Sequence, residues 1–426
     1  MNMQTLQQVA SCLSDYDPNA LPVATAQQFI AQFVPKIDSV EKVAIRSALS
    51  RVLAQDIISP IHVPAHDNSA MDGYAFDGTQ VQGGEVSLEI IGTAYAGVAF
   101  DGSVARGQCV RIMTGAVMPA GCDTVVPQEF VKVEEQRVRF AASILKRRDN
   151  RRCKGEDLAA GQAALAAGRR ITPADLGMLA SLGVAEVPVK RRLRVAFFST
   201  GDELRSIGEP LDAGCVYDSN RYTLWGMLKR LDADIIDMGV VKDEPAALEA
   251  AMRSACENAD AIITSGGVSV GEADFTKQMM ARLGDVAFWT IAMRPGRPMA
   301  FGRINSNSKS AVLFGLPGNP VAVMVTFYFF VRHGLAAMLG ETGGQPLLLT
   351  AKSETALRKK PGRTEYQRGI ATRHANGTVT VRITGSQGSG VLRSMSEANC
   401  FVVLSHGGGS VNEGDAVDIL PFDGLL

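Results

Sequence analysis

The stretch that most constrains this chain is residues 260–276, DAIITSGGVSVGEADFT. Residues 261–264 form a short apolar run with two isoleucines, the pattern of a buried parallel strand. The run breaks into Ser265, Gly266, Gly267, Val268, Ser269, Val270 and Gly271, then Glu272 and Asp274, where a helical pattern resumes. Three glycines directly after a buried strand permit positive φ and let backbone N–H groups converge on an anion. Ser265 and Ser269 add hydroxyl donors, and the next helix points its positive end the same way. Asp274 adds a carboxylate beside that anion, an arrangement suited to a bridging Mg2+. The stretch reads as a phosphate-binding loop with an attached metal ligand; the competing reading is a Gly-rich connection that holds nothing.

Named loop patterns narrow the chemistry. The loop lacks G-x-x-x-x-G-K-[ST] and G-x-G-x-x-G, so it is neither a Walker A nor a dinucleotide fingerprint. It does contain G-x-S-x-G at 267–271, the pattern of a hydrolase nucleophile elbow. An elbow needs its serine on the sharp turn that ends the strand. Ser269 instead follows two glycines, five residues past Thr264, and the HGGG at 406–409 lies far downstream. A serine hydrolase is the weakest reading of this loop.

The loop sits in a run of alternating strand and helix signals. Strands are expected at 193–199, 235–241, 261–264 and 286–292, and helices at 219–231, from Pro245 and at 275–283. Leu224, Trp225, Leu228 and Leu231 are placed on one helical face. Such repeated units imply a mostly parallel sheet with helices on both faces and ligands outside the carboxyl ends of its strands. Glu203, Asp243 and Asp274 each follow a different strand at that edge, which points to divalent metal and phosphate together. Residues 293–298, MRPGRP, form a rigid turn with two guanidiniums, Arg294 and Arg297, suited to an oxyanion. After Leu316-Pro317-Gly318, Asn319 as N-cap and Pro320 at N1 launch a long apolar helix.

The flanks read differently. Residues 25–34 place Phe29, Ile30 and Phe33 on one helical face. The run at 64–75, with Asp67 and Asp72, has strong turn chemistry; its carboxylates either face a ligand or bond their own backbone in Asx-turns. Short strands from 86 to 140 describe a small β domain with a Thr114-Gly115 turn on its rim. Six of the nine residues at 146–154 are Lys or Arg, read as a solvated basic linker before a phosphate-attracting edge. Thr172-Pro173 is a clean helix start, with Gly183 as its stop. The last 80 or so residues return to strand signals, a second small β domain.

Composition excludes several function classes. At 426 residues the chain is too long for one ordinary domain, and 43 basic against 44 acidic residues give no start to a nucleic-acid interaction. Seven cysteines scattered singly argue for a reducing compartment, with neither a disulfide frame nor zinc. The N-terminus shows no signal-peptide pattern, and the longest apolar run, 321–331, stops at Arg332 and His333, short of a bilayer. The expectation is a soluble, cytoplasmic protein with no nucleic-acid and no membrane partner.

Taken together, DNSAMDGYA, RIMTGAVMP, KGEDL, STGDEL, TSGGVSVGEADFT, RPGRP, LPGNP and QRG…QGSG fall in one order. In that order the chain resembles the MoeA family, molybdopterin molybdenumtransferase, and is similar to the E domain of gephyrin. The resemblance runs from about Ala24 to the C-terminus. It implies a multidomain α/β and β architecture: an elongated α/β linker domain in two pieces (1–58 and 147–188), an inserted β domain (59–146), a molybdopterin-binding α/β domain (189–342) and a C-terminal β-barrel (343–426). It implies a homodimer whose active site lies between one subunit's α/β domain and the other's inserted domain.

The reaction implied is insertion of molybdate into adenylylated molybdopterin, with hydrolysis of the adenylate, release of AMP and use of Mg2+. By resemblance, activity is carried by Asp67, Thr114, Asp157, Glu203, Asp243, Asp274, Pro317, Pro320, Arg368 and Ser389. Glu203, Asp243 and Asp274 are the expected Mg2+ ligands. Ser265, Gly266, Gly267, Ser269 and Gly271 are expected to cradle a phosphate; Arg294, Arg297, Arg368 and Ser389 are expected to bind molybdate or the pterin phosphate. A molybdopterin adenylyltransferase and downstream molybdoenzyme delivery proteins are the implied partners. Thr290 stands where some members carry Lys, Arg294 and Arg297 where Lys is also common, and Ser50 where Gly is expected. The rival readings are an adenylyltransferase built on the same α/β module and a non-catalytic pterin-binding scaffold.

Overall fold

The computed structural model describes residues 5–13, 16–267, 273–344 and 346–422, with only the backbone of 273–277. Its centre is a six-stranded sheet. The strands are β1 (Arg194–Thr200), β2 (Asp234–Val241), β3 (Ala261–Ser265), β4 (Gly284–Thr290), β5 (Pro298–Ser306) and β6 (Lys309–Leu316), in the spatial order β2-β1-β3-β6-β5-β4. The first four in that order are parallel, and β5 and β4 complete the sheet antiparallel. The interior strands β1 and β3 are buried along almost their whole length, because both faces are covered.

Four helices cover those faces: α1 (Ser219–Arg230), α2 (Pro245–Asn258), α3 (Ala273–Leu283) and α4 (Pro320–Leu339). On one face α1, α4 and the N-terminal helix Val23–Phe33 enclose a core in which Phe29, Trp289, Phe301 and Phe314 are at most 2% exposed. The rings of Phe29 and Trp289 meet edge-on at 5.1 Å, and Trp289 stacks on Phe301 at 5.1 Å. On the opposite face Leu248, Met252 and Cys256 of α2 pack with Met279 and Met280 of α3 over Ile262 and Leu313. Thus residues 6–34, which the sequence places with the linker, supply side chains to the α/β core.

Two sequence expectations change here. The reading passes from the turn at 293–298 straight to the long helix, yet the β5–β6 hairpin fills that interval. Its two-residue turn, Asn307 and Ser308 at φ 45° and 61°, has the twist of a primed hairpin turn without the glycine that advertises one. Trp225 is 48% exposed while Leu224 and Leu228 are buried, because Trp225 is one residue, about 100°, round the helix from Leu224. The apolar run from Val321 ends at Arg332 as read, and the helix that carries it continues to Leu339 and closes on Gly340 at φ 65°. By length and composition that helix could cross a bilayer, but 61% of its apolar window is buried inside the fold.

Strands β7 (Leu349–Ser353), β8 (Thr364–Arg373), β9 (Val379–Ile383), β10 (Cys400–Leu404) and β11 (Ala416–Pro421) close into a five-stranded barrel in the order β8-β9-β7-β11-β10, with β10 returning to β8. The barrel is bonded to the α/β domain by a short parallel pairing of Met293–Arg294 with the start of β8. Phe329 of α4 also stacks on Tyr366 of β8 at 3.9 Å.

Residues 73–141 build a separate six-stranded sheet with its own two small cores. Between the two domains, Val40–Ala44 pairs antiparallel with Glu186–Lys190, and one core draws Ala48, Leu53 and Ile57 together with Leu165, Ile171 and Val187. Thr172 caps the helix Pro173–Ser181 through a capping box with Asp175, and Gly183 follows at φ 70°. Ser50 adopts φ 65°, the left-handed conformation that accounts for a glycine being expected there. All seven cysteines are free.

Where the linker meets the α/β domain, Asp260 accepts two bonds from Arg191 at 2.7 Å and one from the Arg194 N–H at 2.8 Å. Burial disfavours its charge, but the Arg191 guanidinium and these bonds outweigh that and hold the Asp260 pKa below the usual carboxylate value. A depressed carboxylate pKa stabilises the fold above the unfolded value of 3.8, and the contribution is lost as pH falls through the folded value. Arg191→Gln is therefore expected to lower stability by about 2 kcal/mol at neutral pH. The deficit should shrink below pH 3.8 in thermal melts taken against pH. A deficit that stays constant down to pH 2 would contradict this assignment.

Candidate functional site

The carboxyl ends of the parallel strands open into a cavity of about 650 Å3, roofed by the barrel. Four chain segments that end or begin at this edge line it. Thr200 ends β1 and Gly201 and Glu203 follow it, Asp243 follows β2, Ser265 ends β3 and Gly266 and Gly267 follow it, and Pro317, Gly318 and Asn319 lead from β6 into α4. Arg294 and Arg297 come from the turn before β5, and the barrel adds Arg363, Gln387, Gly388 and Ser389.

The turn after β3 is shaped by close backbone packing. Gly266 stands at φ 97°, and a Cβ there would lie 2.4 Å from the Thr200 carbonyl oxygen. Its N–H donates to the Leu316 carbonyl at 3.1 Å, so the amide stitches β3 to β6 and is not available to a phosphate. Gly267 follows at φ 68°. Asn220 of α1 donates from Nδ2 to the Ser265 hydroxyl at 2.8 Å and to the Gly318 carbonyl at 2.7 Å, and its buried Oδ1 has no partner. One side chain thus sets the spacing of the Gly turn and the Pro-Gly-Asn turn.

Asp243 accepts from the Thr200 hydroxyl at 3.1 Å, which orients its carboxylate on the cavity wall. Glu203 is exposed on the same wall. The side chain of Asp274 and all of Ser269 and Gly271 lie outside the described residues. Among the described residues no group of three His, Cys, Asp or Glu side chains is placed to hold a metal. The cavity supplies two carboxylates and the hydroxyls of Thr200, Ser265 and Ser389 but neither His nor Cys, a donor set that suits a hard cation such as Mg2+.

Of the residues expected from the sequence, Glu203, Asp243, Ser265, Gly266, Gly267, Arg294, Arg297, Pro317 and Ser389 meet in this cavity. Pro320 does not line it; it is the first residue of α4, and the Val321 N–H beside it donates to the Ser389 carbonyl at 3.0 Å. Arg368 corrects an expectation. Its side chain is 1% exposed and donates to the Ser394 hydroxyl at 3.0 Å and the Gly388 carbonyl at 2.9 Å. Gln387 brackets its backbone, accepting from the Arg368 N–H at 2.7 Å and donating to the Arg368 carbonyl at 3.2 Å. Burial, with Arg294 nearby, pulls its pKa down to about 10. Two of its guanidinium nitrogens bond Ser394 and the loop that carries Ser389, and Arg368 does not line the cavity.

Asp67, Thr114 and Asp157 lie in or beside the inserted domain and do not line the cavity. Asp67 accepts from Arg151 Nη2 at 2.5 Å and from the Lys154 N–H at 2.7 Å. Asp72 accepts from both the N–H and the hydroxyl of Thr114 at 2.7 Å, which holds its pKa below the usual value. These are long-range bonds, not local Asx-turns. Arg147, Arg151 and Arg152 of the basic stretch are paired with Asp123, Asp67 and Glu156, so much of that stretch is structural. Sequence reasoning missed Asn220, which reads as an ordinary helix residue, and Arg363 and Gln387, although Gln387 stands in the QGSG motif.

Comparison with known proteins places this architecture. Family models for the MoeA N-terminal region (domain I and II), a probable molybdopterin binding domain and the MoeA C-terminal region (domain IV) match residues 21–183, 196–337 and 350–422. Molybdopterin molybdenumtransferase of Haemophilus influenzae is 41% identical over 407 residues, covering 95% of this chain and 100% of that one. Its counterpart in a Nostoc species is 37% identical, covering 93% of each. The crystal structure of the molybdopterin biosynthesis moeA protein from Pyrococcus horikoshii OT3 matches with a TM-score of 0.80 at 27% identity, over 95% of this chain and 100% of that one. The chain belongs to the MoeA family of molybdopterin molybdenumtransferases.

Proposed function

We propose that this enzyme inserts molybdate into the dithiolene of adenylylated molybdopterin, hydrolysing the adenylate and releasing AMP in a Mg2+-dependent reaction. The observation that carries the reading is one cavity in which two carboxylates, a Gly-Gly turn and three guanidiniums face each other. A pyrophosphate-linked substrate and a tetrahedral oxyanion need those groups together.

Asp243 and Glu203 would hold Mg2+, with Asp274 as the further ligand, and the Thr200 hydroxyl keeps the Asp243 carboxylate in place. Bound there, the ion would offset pyrophosphate charge and polarise the phosphorus under attack. Gly267 lets the substrate phosphate approach the backbone, because no side chain stands in the way. Arg294 and Arg297, both exposed, take the oxyanion through charge-assisted bonds. The start of α4, where Asn319 and Ala322 line the cavity, adds the positive end of a helix dipole.

Asp67, Thr114 and Asp157 then act in the same site only if a second copy of the chain presents its inserted domain to this cavity. The working unit we propose is therefore a homodimer. Receipt of the adenylylated pterin from an adenylyltransferase, and delivery of the product to apo-molybdoenzymes, follow from the chemistry of substrate and product.

The test is AMP release from adenylylated molybdopterin, with and without Mg2+ and molybdate, by the native chain and Asp274→Ala. Molybdate- and Mg2+-dependent release that the substitution abolishes is the expected result. Tight pterin binding with no AMP from the native chain would leave a scaffold or carrier in its place.

A further inference from the structure

We infer that Asp72 is a positioning residue for the proposed reaction: it engages the proton of the Thr114 hydroxyl, so that Thr114 offers only lone pairs and recognises an N–H or O–H donor of the substrate. The inference rests on the reading above in one respect, that Thr114 reaches substrate from a second copy of the chain. Asp72 stands just before the strand Gly73–Phe76, and Thr114 lies two residues past the strand Gln108–Ile112. These strands pair antiparallel with Gly73 opposite Ile112. Beyond the pair the two loops are stitched together. The Gly115 N–H donates to the Ser69 carbonyl at 2.8 Å, and the Ser69 N–H donates to the Ala116 carbonyl at 3.0 Å. Gly115 makes the turn at φ 81°.

Within that frame Asp72 Oδ1 accepts from the Thr114 N–H and from the Thr114 hydroxyl, each at 2.7 Å. The N–H bond and then the hydroxyl bond hold the Asp72 pKa below the usual carboxylate value, so at neutral pH its side chain is an acceptor only. A hydroxyl has a single proton to give. With that proton committed to Asp72, the exposed Thr114 side chain can only accept from a ligand. Deprotonated phosphate and molybdate oxygens have no hydrogen to offer it. The groups that fit are the amino and ring N–H groups of a pterin, or the hydroxyls and amino group of an adenylate. The inserted domain thus reads a donor-bearing part of the substrate, while the guanidiniums of the cavity face its anionic part.

The experiment is a double-mutant cycle read on the dissociation constant of adenylylated molybdopterin, with the native chain, Asp72→Ala, Thr114→Val and the double variant. Thr114→Val removes the lone pairs at nearly constant shape, and Asp72→Ala frees the hydroxyl to rotate. Each is expected to weaken binding roughly five- to tenfold, the worth of one hydrogen bond. Because Asp72 acts through the Thr114 hydroxyl, the double variant should bind no more weakly than Thr114→Val. Asp72→Asn keeps an acceptor oxygen without the charge and should bind within about twofold of native. It keeps the inference testable if Asp72→Ala does not fold, since a tenfold loss (roughly one hydrogen bond) there would tie Asp72 to its charge and overturn the inference. The same cycle on molybdopterin and on AMP, taken separately, assigns the donor to the pterin or to the nucleotide. Native affinity in Asp72→Ala or Thr114→Val, an additive loss in the double variant, or no binding by the native chain overturns the inference. An additive loss in a chain that does release AMP leaves the transferase reading intact. Coupled losses in a chain that binds but releases no AMP sink that reading and leave this inference standing.

Discussion

Gly266→Ala is expected to cost about 3 kcal/mol of stability and to remove molybdate-dependent AMP release even where the variant remains folded. Two independent restraints meet at this residue. Its φ of 97° lies in a region that side chains rarely adopt, and an added Cβ would lie 2.4 Å from the Thr200 carbonyl oxygen. The clash is with backbone, so no rotamer change relieves it. Moving the turn away would stretch the Gly266 N–H bond to Leu316 and shift the Gly turn relative to Pro317 and Gly318, which share the cavity. Gly267→Ala is the matched control. Its φ of 68° is near the left-handed well, and among the described residues its Cβ would meet only the Thr200 methyl at 3.2 Å, so about 1 kcal/mol is expected. Urea denaturation of both variants checks the ranking, and equal losses would show that the close approach to Thr200 is not the determining contact.

Asp243→Asn is expected to lower AMP release by roughly a hundred- to a thousandfold, the range for removing one preorganised electrostatic group from a reacting centre. The substitution keeps the shape and lets the Thr200 hydroxyl bond persist, so the melting temperature should move little. What disappears is the negative charge that fits Asp243 to bind Mg2+. The half-saturating Mg2+ concentration should therefore rise along with the loss of rate. Steady-state AMP release titrated with Mg2+ reads both. A variant that regains the full rate at saturating Mg2+ would restrict Asp243 to affinity, and one with unchanged Mg2+ dependence would remove it from the ligand set.

The alternation of buried apolar runs with amphipathic segments over residues 194–283 was enough to determine an α/β sheet with helices on both faces, because a strand covered on both sides has no polar alternative. Likewise the capping box at Thr172 and the stop at Gly183 are local chemistry that any context would read the same way. The Gly-Gly turn after β3 was legible in the same way, since freedom to take positive φ is a property of glycine itself.

Tertiary structure decided what depends on distant partners. The β5–β6 hairpin turns through Asn307 and Ser308 without glycine, and its second strand is central only because β3 accepts it as a parallel neighbour. Asn220 matters because two turns lying 45 and 98 residues away meet its amide. Arg368 and Arg363 look alike in sequence, both cations at the start of the barrel. Their surroundings separate because closure of the barrel buries the first among carbonyls and hydroxyls and leaves the second on the cavity wall beside a buried carboxylate. A sequence lists which side chains carry charge; only the packing determines which of those charges remain free to meet a ligand.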